Sequence, residues 1–221
     1  MPARGLRVGG LAPLTTIDYP GELAAVIFCQ GCPWRCSYCH NPELIPARGE
    51  GNMAWGEVMA WLQGRRGLLD AVVFSGGEPT LQPALPAAVD AVAGMGFKVG
   101  LHSAGPYPDR LAALLPRIDW IGLDVKALPE EYPALTGVPG SGKAAWESAR
   151  RVIAHGLPHE MRITEDPRHL TPDGVAAIEA RLQALGARRV VRQPCLPVVT
   201  AAGEAGAAAL SPAAPPPAER R

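Results

Sequence analysis

Short apolar runs alternate with longer amphipathic ones along most of the chain. LAAVIF (23–28), AVVFS (71–75), FKVGL (97–101), DWIGLDV (119–125), HEMRIT (159–164) and RRVVRQ (188–193) have the length and the Val, Ile, Leu and Phe content of buried strands. The segments between them, 54–64, 83–94, 108–116, 143–155 and 172–185, are predicted helices; the last carries Val175, Ile178, Leu182 and Leu185 on one face. Thr171 is placed to cap that helix, Pro172 suits its first turn and Gly186 can take the left-handed conformation that ends it. Strict alternation of strand and helix predicts an α/β fold with parallel strands and right-handed crossovers. Six strands are too few for an eight-fold barrel, so an open doubly wound sheet or a partial (β/α)6 TIM-like barrel is expected. The composition changes after residue 193 to a stretch of Ala and Pro, which divides the chain into a folded domain, 1–193, and a tail, 194–221, expected to be disordered.

On this scheme the reactive groups fall at strand ends. A cysteine run follows the first strand, SGGEPT (75–80) the second and HS (102–103) the third; DVK (124–126) closes the fourth, Arg162 and Thr164 end the fifth, and Gln193 ends the sixth. In parallel α/β folds, ligands gather at the carboxyl ends of the strands, where the loops converge on one mouth. A structural role for any one of these groups does not predict that the others share its rim.

Charge and composition narrow the functions. Lys plus Arg and Asp plus Glu each number 21, so no net field draws in nucleic acid or an anionic membrane. There is no run of eighteen apolar residues and no secretion signal at the N-terminus, so a cytoplasmic protein is expected. Thiols remain reduced there, and the five cysteines, four of them between 29 and 39, read as metal ligands or reactive thiols and not as disulfides.

Cys32, Cys36 and Cys39 form CxxxCxxC, and Cys29 adds a CxxC with Cys32. Zinc ribbons space two CxxC pairs by about 15–20 residues, whereas only Pro33, Trp34 and Arg35 intervene here. A ferredoxin-type cluster needs no large βα scaffold, and a redox dithiol at Cys29 and Cys32 stays open. Three close thiolates can hold three irons of a four-iron cluster and leave the fourth open to a ligand, as a catalytic metal centre requires.

CxxxCxxC with Tyr38 before its last cysteine, on the loop after the first strand, resembles the signature of radical S-adenosylmethionine enzymes. Within them, GGLAPLTTIDYPGELAAVIFCQGCPWRCSYCHNPELI (9–45) resembles the activating proteins of anaerobic ribonucleoside-triphosphate reductase and other glycyl radical enzyme activases. The resemblance runs from about residue 5 to 193. It implies a [4Fe-4S] cluster on Cys32, Cys36 and Cys39, with S-adenosyl-L-methionine chelating the open iron, and leaves Cys29 as a packing thiol. It further implies that Ser75, Gly76, Gly77 and Glu78 meet the amino group of that molecule, His102 and Ser103 border its ribose, and Lys126, paired with Asp124, faces its carboxylate. Arg162 ends its strand in a comparable place, with Thr164 beside it, and Tyr38 is the better of two aromatics, over Trp34, for contact with adenine.

The implied partners are a glycyl radical enzyme, first of all anaerobic ribonucleoside-triphosphate reductase, and a low-potential donor such as flavodoxin or ferredoxin. A radical enzyme acting on a small molecule, such as 7-carboxy-7-deazaguanine synthase, and a noncatalytic iron-sulfur or zinc protein are the alternatives. Trp55, Trp61 and Trp146 read as core. GVPGSGK (137–143) lacks the spacing of a phosphate loop, because Ala144 follows the lysine.

Overall fold

The computed structural model describes residues 3–48 and 53–195. The tail expected from 194 falls outside these residues except for Pro194 and Cys195. One seven-stranded sheet runs in chain order: β1 (Val8–Thr15), β2 (Ala24–Cys29), β3 (Ala71–Gly76), β4 (Lys98–Ser103), β5 (Trp120–Asp124), β6 (His159–Glu165) and β7 (Val190–Pro194). β2 to β7 are parallel and are the six strands expected; β1 is antiparallel to β2. Strands adjacent in sequence are adjacent in space, so the sheet winds in one direction into a partial (β/α)6 barrel.

The crossovers carry α1 (Trp55–Gln63), α2 (Leu85–Ala93), α3 (Pro108–Leu114), α4 (Tyr132–Thr136), α5 (Ser141–His155) and α6 (Pro172–Ala184). α6 begins as expected: the Gly174 amide donates to the Thr171 hydroxyl at 3.1 Å, and Gly186 has φ of 95°. The short α4 is an addition to the predicted helices, ended by Gly137 in the left-handed region. Of GVPGSGK, residues 137–140 form the turn from α4 into α5 and Ser141, Gly142 and Lys143 open α5.

Alternation along each strand divides the sheet into two faces. The outer face, with Ile27, Cys29, Phe74, Leu101, Leu123, Met161 and Ile163, packs against the helices in the main core. The inner face begins apolar, with Ala24, Val26, Ala71, Val73 and Trp120. It turns polar one or two inward positions farther along, at Ser75, His102, Asp124, Arg162, Thr164 and Gln193. β1 forms the edge of the sheet beside β2. Its Gly9, Gly10 and Pro13 mask it as a strand in the sequence, but an edge position tolerates them, and the pairing with β2 is interrupted by two register shifts. The turn beyond it places Tyr19 against Trp120, ring centroids 5.2 Å apart. Gly100 leaves room for this, since a Cβ there would lie 3.0 Å from the Tyr19 ring.

Candidate active site

At the end of β2 the chain leaves the sheet through Gly31, whose φ of 101° favours glycine. Gln30, 2% exposed, fastens the loop that follows by donating from its side-chain amide to the Glu43 and Pro46 carbonyls at 3.0 and 2.7 Å. The Gly31 and Cys32 amides donate to the carbonyls of Leu44 and Ile45. Inside this closed loop Cys32, Cys36 and Cys39 are half-buried and line one cavity of about 490 Å³. Burial pushes the Cys32 thiol up to about 12, with the neighbouring Glu78, Cys36 and Cys39 adding to it, and burial also raises Cys36. Cys29 lies on the other face of the sheet, fully buried in the main core, and its thiol is raised by that burial. The run therefore splits into three thiols that face the cavity and one that does not.

A buried thiol resists ionisation unless positive charge stands beside it, as the raised Cys32 and Cys36 show. A cationic iron-sulfur core relieves that cost, so the donor set fits the cluster the resemblance implies. Among the described residues no group of three His, Cys, Asp or Glu side chains is arranged around a single metal ion.

The SGGE loop after β3 is bound to the cysteine loop through backbone. The amides of Gly77 and Glu78 donate to the carbonyls of Cys29 and Gly31, each at 2.9 Å. A Cβ on Gly77 would stand 2.4 Å from the Gly31 carbonyl oxygen and 2.8 Å from that of Leu44. Gly77 lines the cavity with Gly76 and Ser75, whereas Glu78 is 1% exposed and absent from the wall. Its carboxylate accepts from the Thr80 amide and hydroxyl, the Ser103 hydroxyl and the Ala104 amide, at 2.5 to 3.0 Å. Glu78 thus ties the ends of β3 and β4 together, a placement different from the direct ligand contact that its motif implies.

Consecutive residues on a strand face opposite ways, which separates the expected pair His102 and Ser103. Ser103 turns to Glu78, while His102 points into the inner face, its Nδ1 3.3 Å from the Ser75 hydroxyl. Its Nε2 is 2.8 Å from the Asp18 carbonyl and 3.1 Å from Arg162 Nη1. As N–H it donates to the carbonyl; as bare nitrogen it accepts from the guanidinium. Burial, then the Arg162 charge, lowers His102 to about 4, so the ring is neutral at pH 7.

Beside it, Lys126 Nζ is 3.3 Å from Asp124 Oδ2 and 5.3 Å from the centroid of the Tyr38 ring. β5 ends at Asp124, yet the extended backbone carries Lys126 to the same side, as the DVK spacing predicts. Burial acts to depress Lys126, but Tyr38, Asp124 and Cys36 outweigh it and hold its pKa well above the ordinary lysine range. For Asp124 burial raises, and Lys126, Arg162 and His102 overcome it, so the carboxylate stays ionised. Tyr38 is 3% exposed; its hydroxyl is buried without a hydrogen-bond partner and burial raises it to about 12.

The cavity wall thus brings together Cys32, Cys36, Cys39, Tyr38, Ser75, Gly76, Gly77, His102, Ser103, Asp124, Lys126 and Arg162 from the expected set, with Trp34, Thr164 and Gln193 from the same rim. His40, Asn41 and Ala104 also line it; the first two belong to the CHNPEL stretch of the segment 9–45, which assigned them no role. Trp55 and Trp146 are core, while Trp61 is half-buried and packs at its margin.

Comparison with known proteins adds an independent line. The radical SAM superfamily matches residues 26–167. A protein of Methanocaldococcus jannaschii named for glycyl-radical enzyme activation is 36% identical over 128 residues, 57% of this chain and 52% of that protein. The pyruvate formate-lyase-activating enzyme of Clostridium pasteurianum is 31% identical over 153 residues, 66% of this chain and 63% of the enzyme. The matches thus span roughly half to three-fifths of these relatives' own lengths. Streptococcus suis SuiB, crystallised with S-adenosylmethionine, superposes with a TM-score of 0.63 at 13% identity, over 77% of this chain and 40% of SuiB, which is a likeness of fold.

Proposed function

Since the chain belongs to the radical SAM superfamily and carries its oxidoreductase domain, we propose that it is a glycyl radical enzyme activase, with anaerobic ribonucleoside-triphosphate reductase as partner. The observation that carries this reading is the convergence of three thiols and a charged, glycine-lined floor on one cavity of about 490 Å³, a volume suited to a cofactor-sized molecule. Cys32, Cys36 and Cys39 hold a [4Fe-4S] cluster in this reading, and S-adenosyl-L-methionine fills the space beside it. When bound, the cluster would supply the electron for reductive cleavage of S-adenosyl-L-methionine.

The chain's own residues bind and orient. Backbone at Ser75, Gly76 and Gly77 meets the amino group, with Glu78 and Ser103 bracing that backbone from behind. Lys126, kept charged by Asp124, attracts the carboxylate; His102 borders the ribose; Arg162 adds fixed positive charge; Tyr38 contacts the adenine side. The choice of a glycyl radical partner is supported by the segment 9–45, with its DYPG and CHNPEL, and by the relatives named for such activation. A low-potential flavodoxin or ferredoxin is the electron donor in this reading.

The test is anaerobic reconstitution with iron and sulfide, reduction, and assay of 5′-deoxyadenosine with and without the reductase. Cleavage accompanied by a glycyl radical signal on the reductase is expected. Cleavage coupled only to a small molecule moves the protein to the deazaguanine synthase type of reaction, and metal uptake without cleavage ends the enzymatic reading.

A further inference from the structure

Arg162 is held from below by a carboxylate that the strand-end motifs do not include. Glu160 is two residues earlier on β6, hence on the same inner face, and is 5% exposed. Its Oε2 accepts from Arg162 Nε at 3.3 Å, and its Oε1 accepts from Arg189 Nε at 2.9 Å. The guanidinium lies 5.1 Å from the Trp120 ring centroid and reaches His102 with Nη1. Gly122, opposite His102 in register, keeps the lane clear: a Cβ there would come within 2.7 Å of Arg162 Cζ and 2.9 Å of its Nε. Arg162 is also the register partner of Asp124.

Two carboxylates therefore compete for one guanidinium. Glu160 holds it toward the start of β6, and Asp124 is left to Lys126. From this geometry we infer that Glu160 is a positioning residue: it anchors Arg162 so that the Asp124 and Lys126 pair stays intact on the cavity floor and Lys126 is presented to an anionic ligand group. The inference rests on the reading of the cavity as the S-adenosylmethionine site. Without Glu160, Arg162 turns to Asp124 and releases Lys126 from its partner.

The test uses the full chain, wild type and Glu160→Gln, with Gly122→Ala as a second variant that dislodges Arg162 from the other side. In 15N-arginine-labelled protein without cluster, the Arg162 Nε–H resonance, assigned by its absence from Arg162→Gln, is expected to be slow to exchange in wild type. It should become fast in both variants. In the reconstituted protein, Glu160→Gln is expected to weaken S-adenosylmethionine binding by calorimetry about tenfold, the scale of one charged hydrogen bond. KM should rise more than kcat falls, Glu160→Asp should recover part of the loss, and Glu160→Gln with Arg162→Gln together should bind no worse than Arg162→Gln alone.

Wild-type binding in a folded Glu160→Gln overturns the inference while leaving the site intact. Additive losses in the double variant also overturn it, because Glu160 then acts independently of Arg162. If the wild type takes up its cluster yet binds no S-adenosylmethionine, the reading of the cavity falls and this inference falls with it.

Discussion

The outer and inner faces of the parallel strands alternate residue by residue along the same backbone, yet they obey different rules. Phe74 and Leu123 are sealed under helices, where shape and apolar area suffice. Their neighbours Ser75 and Asp124 open on the cavity, where each polar atom needs a partner or a ligand. The contrast teaches where stability and chemistry reside: the outer face holds the strands in place, and the inner face uses that rigidity to keep charges apart that would otherwise collapse together.

The largest effect that sharpens this contrast lies within the cysteine run. Cys36→Ala is expected to abolish iron-dependent 5′-deoxyadenosine formation. Cys29→Ala, on the outer face, should retain it and cost about 1 kcal/mol of stability by urea denaturation. Equal loss in both variants breaks the division of the run into two faces. Next comes the adjacent pair on β3: Phe74→Ala should cost about 3–5 kcal/mol through the cavity it leaves, against under about 1 kcal/mol for Ser75→Ala.

Gly77→Ala tests the junction of the two loops. Its new methyl meets the Gly31 and Leu44 carbonyls, so a loss of about 1–3 kcal/mol and a reduced iron content after reconstitution are expected. The smallest effect is one of pH. His102 is lowered to about 4 by burial and by Arg162, below its unfolded value of about 6.5, so the unfolded chain takes up the extra proton first. The contribution is whole above that unfolded value and is lost as the pH falls toward 4. The midpoint of thermal unfolding should drop more steeply between pH 7 and 4.5 in wild type than in His102→Gln. Glu78, raised by burial, acts in the opposite sense in both proteins and cancels from the comparison.

The six parallel strands and the crossover helices were legible because their apolar periods are regular, and α6 announced both of its ends. β1 was not, since two glycines and a proline hide an edge strand whose pairing is broken by register shifts. At the site, spacing was enough to place Cys32, Cys36 and Cys39 on one loop and Asp124 with Lys126 on one side. It did not reveal that Glu78 is consumed by Thr80, Ser103 and Ala104, because burial of a carboxylate depends on which loop ends meet in space. Glu160 was missed for a related reason: nothing in the spacing of HEMRIT marks it, and its burial comes with Arg162 on its own strand and Arg189 just before β7. Asp18 contributes a backbone carbonyl, a group that residue type does not encode.

The two-residue repeat that sorts core from cavity also couples their fates. Deleting one residue inside β5 would slide Leu123 into the lumen and Asp124 under the helices, spoiling catalysis and packing in a single event. Such frames admit no drift by one, so variation in what this barrel acts upon is channelled into its loops, where length can change without moving any letter to the wrong side of the page.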